Sequence, residues 1–172
     1  MNLLCRISAI SGIALALLIG IFPLAYSSPA TTSAYVVRVV DGSTLQVYVN
    51  DTTENVRIIG VDIPDKSNPN KHIKANGLKA EKFIREQLEG RPVYLQFDIQ
   101  KRDKENHILA YVWISQPSAD SDSELRDKLF NARLLLDGYA RLNPESVNVK
   151  YATFLQRYQA EAQVGDRGLW DK

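Results

Sequence analysis

A chain of 172 residues, 45% hydrophobic and 24% charged, is long enough for one globular domain with a proper core and hardly for two. Its 21 Lys and Arg stand against 20 Asp and Glu, and Arg6 is the one basic residue among the first 27, so the remainder is formally neutral. That balance excludes nucleic-acid binding driven by bulk positive charge, although a local basic face stays possible. The single cysteine, Cys5, excludes an intramolecular disulfide and leaves stability to packing.

In chain order, residues 7–24 form an almost unbroken apolar run behind Arg6, followed by the small-x-small pattern Ala25-Tyr26-Ser27. Residues 1–27 are therefore expected to be an export signal, cleaved or retained as a signal anchor. Residues 28–34, rich in Ser, Thr and Pro, read as a flexible spacer, and the domain is expected over 35–172. Two-residue alternation over 35–40, 45–49 and 56–61, with turns at Asp41-Gly42-Ser43-Thr44 and Asn50-Asp51-Thr52-Thr53, predicts a three-stranded meander.

Residues 64–77 read as a long irregular loop of the kind kept for function. Leu78, Phe83, Ile84, Gln87 and Leu88 then fall at helical spacing, closed by Gly90 and Pro92. Strands are predicted over 93–97 and 108–114, around a turn over 101–106. An acidic loop over 115–123 adds charge of the wrong sign for a nucleic-acid partner. Leu125, Leu129, Leu134 and Leu135 predict one helix ending near Asp137-Gly138, and a last helix is expected over 149–164. The order of elements predicts an α+β class, mainly β: a five-stranded Greek-key barrel of the OB type with about three helices.

Asp41-Gly42-x-Thr44, Arg57-x-x-x-x-Asp62-x-Pro64, Ala80 and Phe83, Leu109-Ala110-Tyr111, Asn131, Leu135-x-x-Gly138-x-Ala140 and Gly168-Leu169-Trp170 occur in one register. Together they resemble the staphylococcal thermonuclease family, over residues 35–170. The resemblance implies hydrolysis of phosphodiesters in single-stranded DNA or RNA with calcium. Asp62 takes the position of a metal carboxylate, Ile63 that of a main-chain carbonyl ligand, and Arg57 that of the first phosphate-gripping Arg.

Three positions depart from the family's pattern. Ser43 stands where the family has a metal-binding Asp, so calcium affinity is expected to fall, with Asp41 nearby as a partial substitute. Asp65 replaces a Glu that guides water, and one lost methylene draws the carboxylate back by roughly 1.5 Å. His107 stands in place of the second phosphate Arg, exchanging an always-charged fork for a ring that is mostly neutral at pH 7. The bland reading of His107 is an exposed turn residue.

Lys104 matches a phosphate-side Lys of the family, while the base-stacking aromatics have no clear match and Glu105 follows Lys104. Lys66, Lys71, Lys74, Lys79 and Lys82 form a local basic stretch, with Lys71 the candidate substrate contact and a solvated face the alternative. Two His without Cys in the domain give no usual zinc spacing. Two functions remain open: an exported calcium-dependent nuclease of reduced rate, and an exported non-catalytic barrel that binds a protein, a polysaccharide or a nucleic acid. A monomer is expected, with membrane contact only if the leader is retained.

Overall fold

The computed structural model describes residues 28–171; the expected leader lies outside them. Among the described residues no helix is long and apolar enough to cross a membrane. Three antiparallel strands, β1 (Thr32–Val39), β2 (Thr44–Val49) and β3 (Thr52–Ile58), form the meander. After a two-residue strand β4 (Val61–Asp62) and helix α1 (Lys71–Leu88) come β5 (Pro92–Gln96) and β6 (Ile108–Trp113). Strand β6 pairs in parallel with β3 and antiparallel with β5, and β5 returns to β1, which closes a barrel of order β1-β2-β3-β6-β5. Closure removes every free edge from the five strands.

The pattern of side chains explains why these strands close around a core. In β2, Leu45, Val47 and Val49 are buried while Gln46 and Tyr48 point outward, the two-residue period of a strand with one wet face. All six residues of β6 are buried, because α3 (Phe130–Leu136) covers its outer face. In β1 the register slips between Val36 and Arg38, so Val37 is an extra residue that bends the strand and returns Val39 to the core.

Several boundaries differ from expectation. Strand β1 starts at Thr32, inside the expected spacer, because Thr32, Ser33 and Ala34 pair with Leu95, Tyr94 and Val93 to complete the barrel. Helix α1 starts at Lys71, within the expected loop, capped by the Asn70 side chain, which accepts from the N–H groups of His72 and Ile73. Gly77 therefore lies inside the helix. The helix expected after the acidic loop is two, α2 (Asp122–Lys128) and α3, broken at Leu129, whose extended backbone bridges to Trp113. With α4 (Ala152–Val164) the described residues hold four α-helices, and a two-residue strand β7 (Arg141–Leu142) pairs with β4.

The acids of the loop over 115–123 and of the start of α2 are paired with basic groups outside the loop. Asp120 pairs with Lys150, Asp122 with Arg126 and Arg157, and Glu124 with Lys128. Glu124 accepts from Lys128 Nζ at 2.8 Å and from the Ser118 N–H at 2.9 Å, which bring its carboxyl down to about 2.

Behind the barrel, fully buried Asn131 accepts from the Val112 N–H at 2.9 Å and donates to the Ile59 carbonyl at 2.7 Å. One side chain thus satisfies backbone groups of β6 and of the segment leaving β3. At the far end Gly138, at φ +71°, lies so close to the Arg167 carbonyl that a Cβ would collide with it, and its own carbonyl accepts from the Leu169 N–H at 2.8 Å. This contact fastens the C-terminal Gly168-Leu169-Trp170 turn to the end of α3.

Two outcomes are expected. Asn131→Ala leaves two buried backbone groups unpaired, each worth about 1–3 kcal/mol, so urea unfolding should show a loss of about 2–6 kcal/mol. Glu124→Gln should cost about 1 kcal/mol at pH 7, as for a pair still in touch with water. Because the folded carboxyl titrates below its unfolded value, that deficit is present above pH 4.5 and closes as pH falls toward 2, which thermal melts across this range would read.

Candidate active site

The site begins with the turn between β1 and β2. Asp41 Oδ1 accepts from the N–H groups of Ser43 and Thr44, each at 2.8 Å, and from Ser43 Oγ at 3.1 Å. The Ser43 carbonyl in turn accepts from the Ile58 N–H at 2.9 Å, tying the turn to the end of β3. Asp41 is therefore the cap of its own turn, and the Ser43 hydroxyl is drawn back toward it. Gly42 is small because Ile63 packs on it: a Cβ there would lie 2.9 Å from the Ile63 Cγ2 methyl.

Beside this turn opens a cleft of about 370 Å³, whose lining includes Ser43, Arg57, Asp62, Ile63 and Asp103. Asp62 lies on β4, is well exposed, and has Arg141 Nη2 at 3.4 Å because Arg141 is its register partner on β7. Arg57 projects from β3, half exposed. Its Nη1 donates to Asp103 Oδ2 at 3.2 Å, its Nη2 lies 3.7 Å from Glu105 Oε2, and its buried Nε has no hydrogen-bond partner.

Asp103 organises the turn that leads into β6. Its Oδ1 accepts from the N–H groups of Glu105 and His107, both at 2.9 Å, while its Oδ2 faces Arg57 and, at 3.0 Å, His107 Nδ1. Burial alone would raise the Asp103 carboxyl, but the His107 N–H, the His107 ring and the Arg57 charge hold it below its ordinary value. Asn106 accepts the left-handed backbone, φ +66°, that lets the turn close this tightly.

Asp65 lies elsewhere. It borders a neighbouring hollow of about 270 Å³ that it shares with Asp41, Lys66 and Glu81, and only Ser43 and Ile63 border both spaces. Its Oδ1 accepts from the Ser67 N–H and hydroxyl, each at 2.7 Å, and those bonds hold the carboxyl below its usual value. The loop carrying it is fastened to α1 by Lys66 Nζ on Glu81 Oε2 at 2.6 Å. Gly77 makes that approach possible, since a Cβ would collide with the Pro64 carbonyl and lie 2.8 Å from the Lys66 nitrogen.

Of the residues named from the sequence, Ser43, Arg57, Asp62 and Ile63 share the cleft, with Asp41 and Asp65 on the far side of the Ser43 and Ile63 wall. His107 stands behind Asp103 with its ring turned to that carboxylate. Lys104, at the tip of the turn, and Lys71, the first residue of α1, are exposed and line neither space. Sequence reasoning missed Asp103 and Glu105 as partners of Arg57. The signal was the spacing Asp103-x-Glu105-x-His107 within one turn, which converges three ligand-type groups.

Residues 55–172 match the staphylococcal nuclease homologue family. The chain belongs to that family. Among its relatives, the thermonuclease of Staphylococcus intermedius is 33% identical over 81% of this chain and 77% of its own length. The thermonuclease of Staphylococcus hyicus is 32% identical over 88% of this chain and 83% of its own. Endonuclease YncB of Bacillus subtilis is 29% identical over 78% of this chain and 60% of its own. In this staphylococcal nuclease homologue Arg57 and Asp62 both line the cleft, and Arg57 is bound to two carboxylates of the turn before β6.

Gly77→Ala tests how the loop bearing Asp65 is seated. The methyl should push the loop off α1, costing about 1–3 kcal/mol in a thermal or urea melt. Faster tryptic cleavage after Lys66 is expected with it, and an unchanged cleavage rate would show that the loop does not depend on this contact.

Proposed function

We propose that this chain is an exported, thermonuclease-like phosphodiesterase of DNA or RNA, using calcium and turning over more slowly than an intact site of the family. The observation that carries this reading is the presence of Arg57 and Asp62 on one cleft at the end of an OB barrel. A volume of about 370 Å³ is within the range of small-ligand sites. The names of the relatives, thermonucleases and an endonuclease, support the same substrate class.

The donors suit a hard cation in kind, since Asp62, the Ile63 carbonyl, the Ser43 hydroxyl and Asp41 offer only oxygen. They suit it weakly in strength. Asp41 already accepts three hydrogen bonds on one oxygen, and Ser43 brings no charge, so Asp62 is the one carboxylate on the cleft side of this set. Bound calcium would supply charge stabilisation to the phosphate.

The chain's own groups then have defined tasks. Arg57 must release Asp103 and Glu105 to grip phosphate, and Asp65 must leave Ser67 and pass the Ile63 wall to orient a water. His107 acts on the phosphate side through Asp103, which it helps to hold, while Lys104 and Lys71 give outlying contacts to a longer strand. Each required rearrangement lowers the rate, because misplacement by about 1 Å costs on the order of a hundredfold.

A second reading, a non-catalytic exported binding module, is favoured by the same ties: the Ser43 hydroxyl bound to Asp41 and the Arg57 guanidinium bound to two carboxylates. The full chain, assayed on single-stranded DNA and RNA with calcium and with a chelator, separates the two. Slow cleavage stopped by the chelator, and faster cleavage by Ser43→Asp with Asp65→Glu and His107→Arg, is expected. A wild type inert with every divalent ion, beside a triple variant that cuts, would overturn the enzyme reading and leave the module. Export predicts a product lacking residues 1–27, read by the mass of the exported protein.

A further inference from the structure

We propose that the turn before β6 is a binding site for a divalent transition-metal ion of the zinc or manganese type, held by Asp103, Glu105 and His107. It is separate from any calcium at Asp62. Among the described residues this is the group of three whose ligand atoms converge: His107 Nδ1, Asp103 Oδ2 and Glu105 Oε2 lie within 4.8 Å of one another. The ring nitrogen is 3.0 Å from the Asp103 oxygen and 3.4 Å from the Glu105 oxygen. Metal–ligand bonds of about 2.0–2.2 Å put neighbouring ligands roughly 3.0–3.5 Å apart, which both distances from the ring nitrogen already match.

Chemistry and support point the same way. One imidazole nitrogen with two carboxylates suits borderline transition metals, whereas the oxygen-only set at Asp62 suits a hard ion. Asp103 Oδ1, the oxygen not bonded to the His107 ring, accepts from the backbone N–H groups of Glu105 and His107, the kind of outer support that orients a metal-binding carboxylate. Glu105, 69% exposed, leaves an open route from solvent and a movable third arm. Asp103 and Glu105 carry two negative charges against the one positive charge of Arg57 that touches them.

The ion competes with Arg57 for Asp103 Oδ2, the oxygen that Arg57 Nη1 now holds. Binding therefore releases the guanidinium into the cleft it lines. This linkage makes the assignment testable without any assay of turnover. A structural ion pair among the same residues predicts none of it.

The full chain is titrated with Zn2+ by calorimetry and with Co2+ by visible absorption, in the presence of excess calcium. One ion per chain is expected, with a cobalt spectrum of mixed nitrogen and oxygen ligation. His107→Gln and Glu105→Gln should each weaken binding at least tenfold, Arg57→Gln should tighten it severalfold, and Asp62→Asn should leave it unchanged. Glu105 is exposed, so its variant folds even if the His107 variant does not. Absence of saturable binding, binding by Glu105→Gln within threefold of wild type, or displacement by calcium would each overturn the proposal.

Discussion

The parallel pairing of β3 with β6 is the constraint on which the site depends. It sets Arg57 opposite Leu109, and so brings the end of β3 within reach of the turn that precedes β6, 46 residues further along the chain. The register does this, since Ile108, the first residue of β6, lies opposite Val56, near the end of β3. Parallel neighbours need a long crossover, and here α1 and β5 supply it. The barrel, the cover given by the helices and the contact between Arg57 and Asp103 are thus parts of one topological choice.

That dependence explains what was legible in the sequence. The Asp41 turn is a local signal, whereas Arg57 and Asp62 were legible through motifs that resemble those of the family. The barrel was legible from local signals as well, because Leu45, Val47 and Val49 alternate and the turns are marked. The tie between Arg57 and Asp103 was not, since it arises from register between distant strands. The start of α1 was hidden by Gly77, which reads as a break but serves as a gap for the Pro64 carbonyl. Likewise Thr32 and Ser33 look like spacer and become strand only because β5 needs a partner.

Leu129 shows the same override within an apolar pattern. Its spacing with Leu125 and the later leucines suits one continuous helix, yet the bridge to Trp113 and the bond from the Ile114 N–H to the Lys128 carbonyl turn the chain there. The acidic loop illustrates it for charge. Read along the chain its acids repel an anion, but in space Lys150, Arg126, Arg157 and Lys128 answer them. A count over the loop alone therefore misjudges its field, because the partners come from α2, from α4 and from Lys150 just before it.

At the cleft the balance runs the other way. Its lining carries Arg57 as the single cation beside Asp62, Asp103 and Glu145, with Arg141 compensating Asp62 only from the side. A phosphodiester entering such a space meets net negative charge, and Arg57 attracts it only after exchanging Asp103 for it. A cation bound to these carboxylates reverses the sign of the site and frees Arg57 in one step. Cation and anion therefore favour each other's binding, and by linkage each must raise the affinity for the other by the same factor.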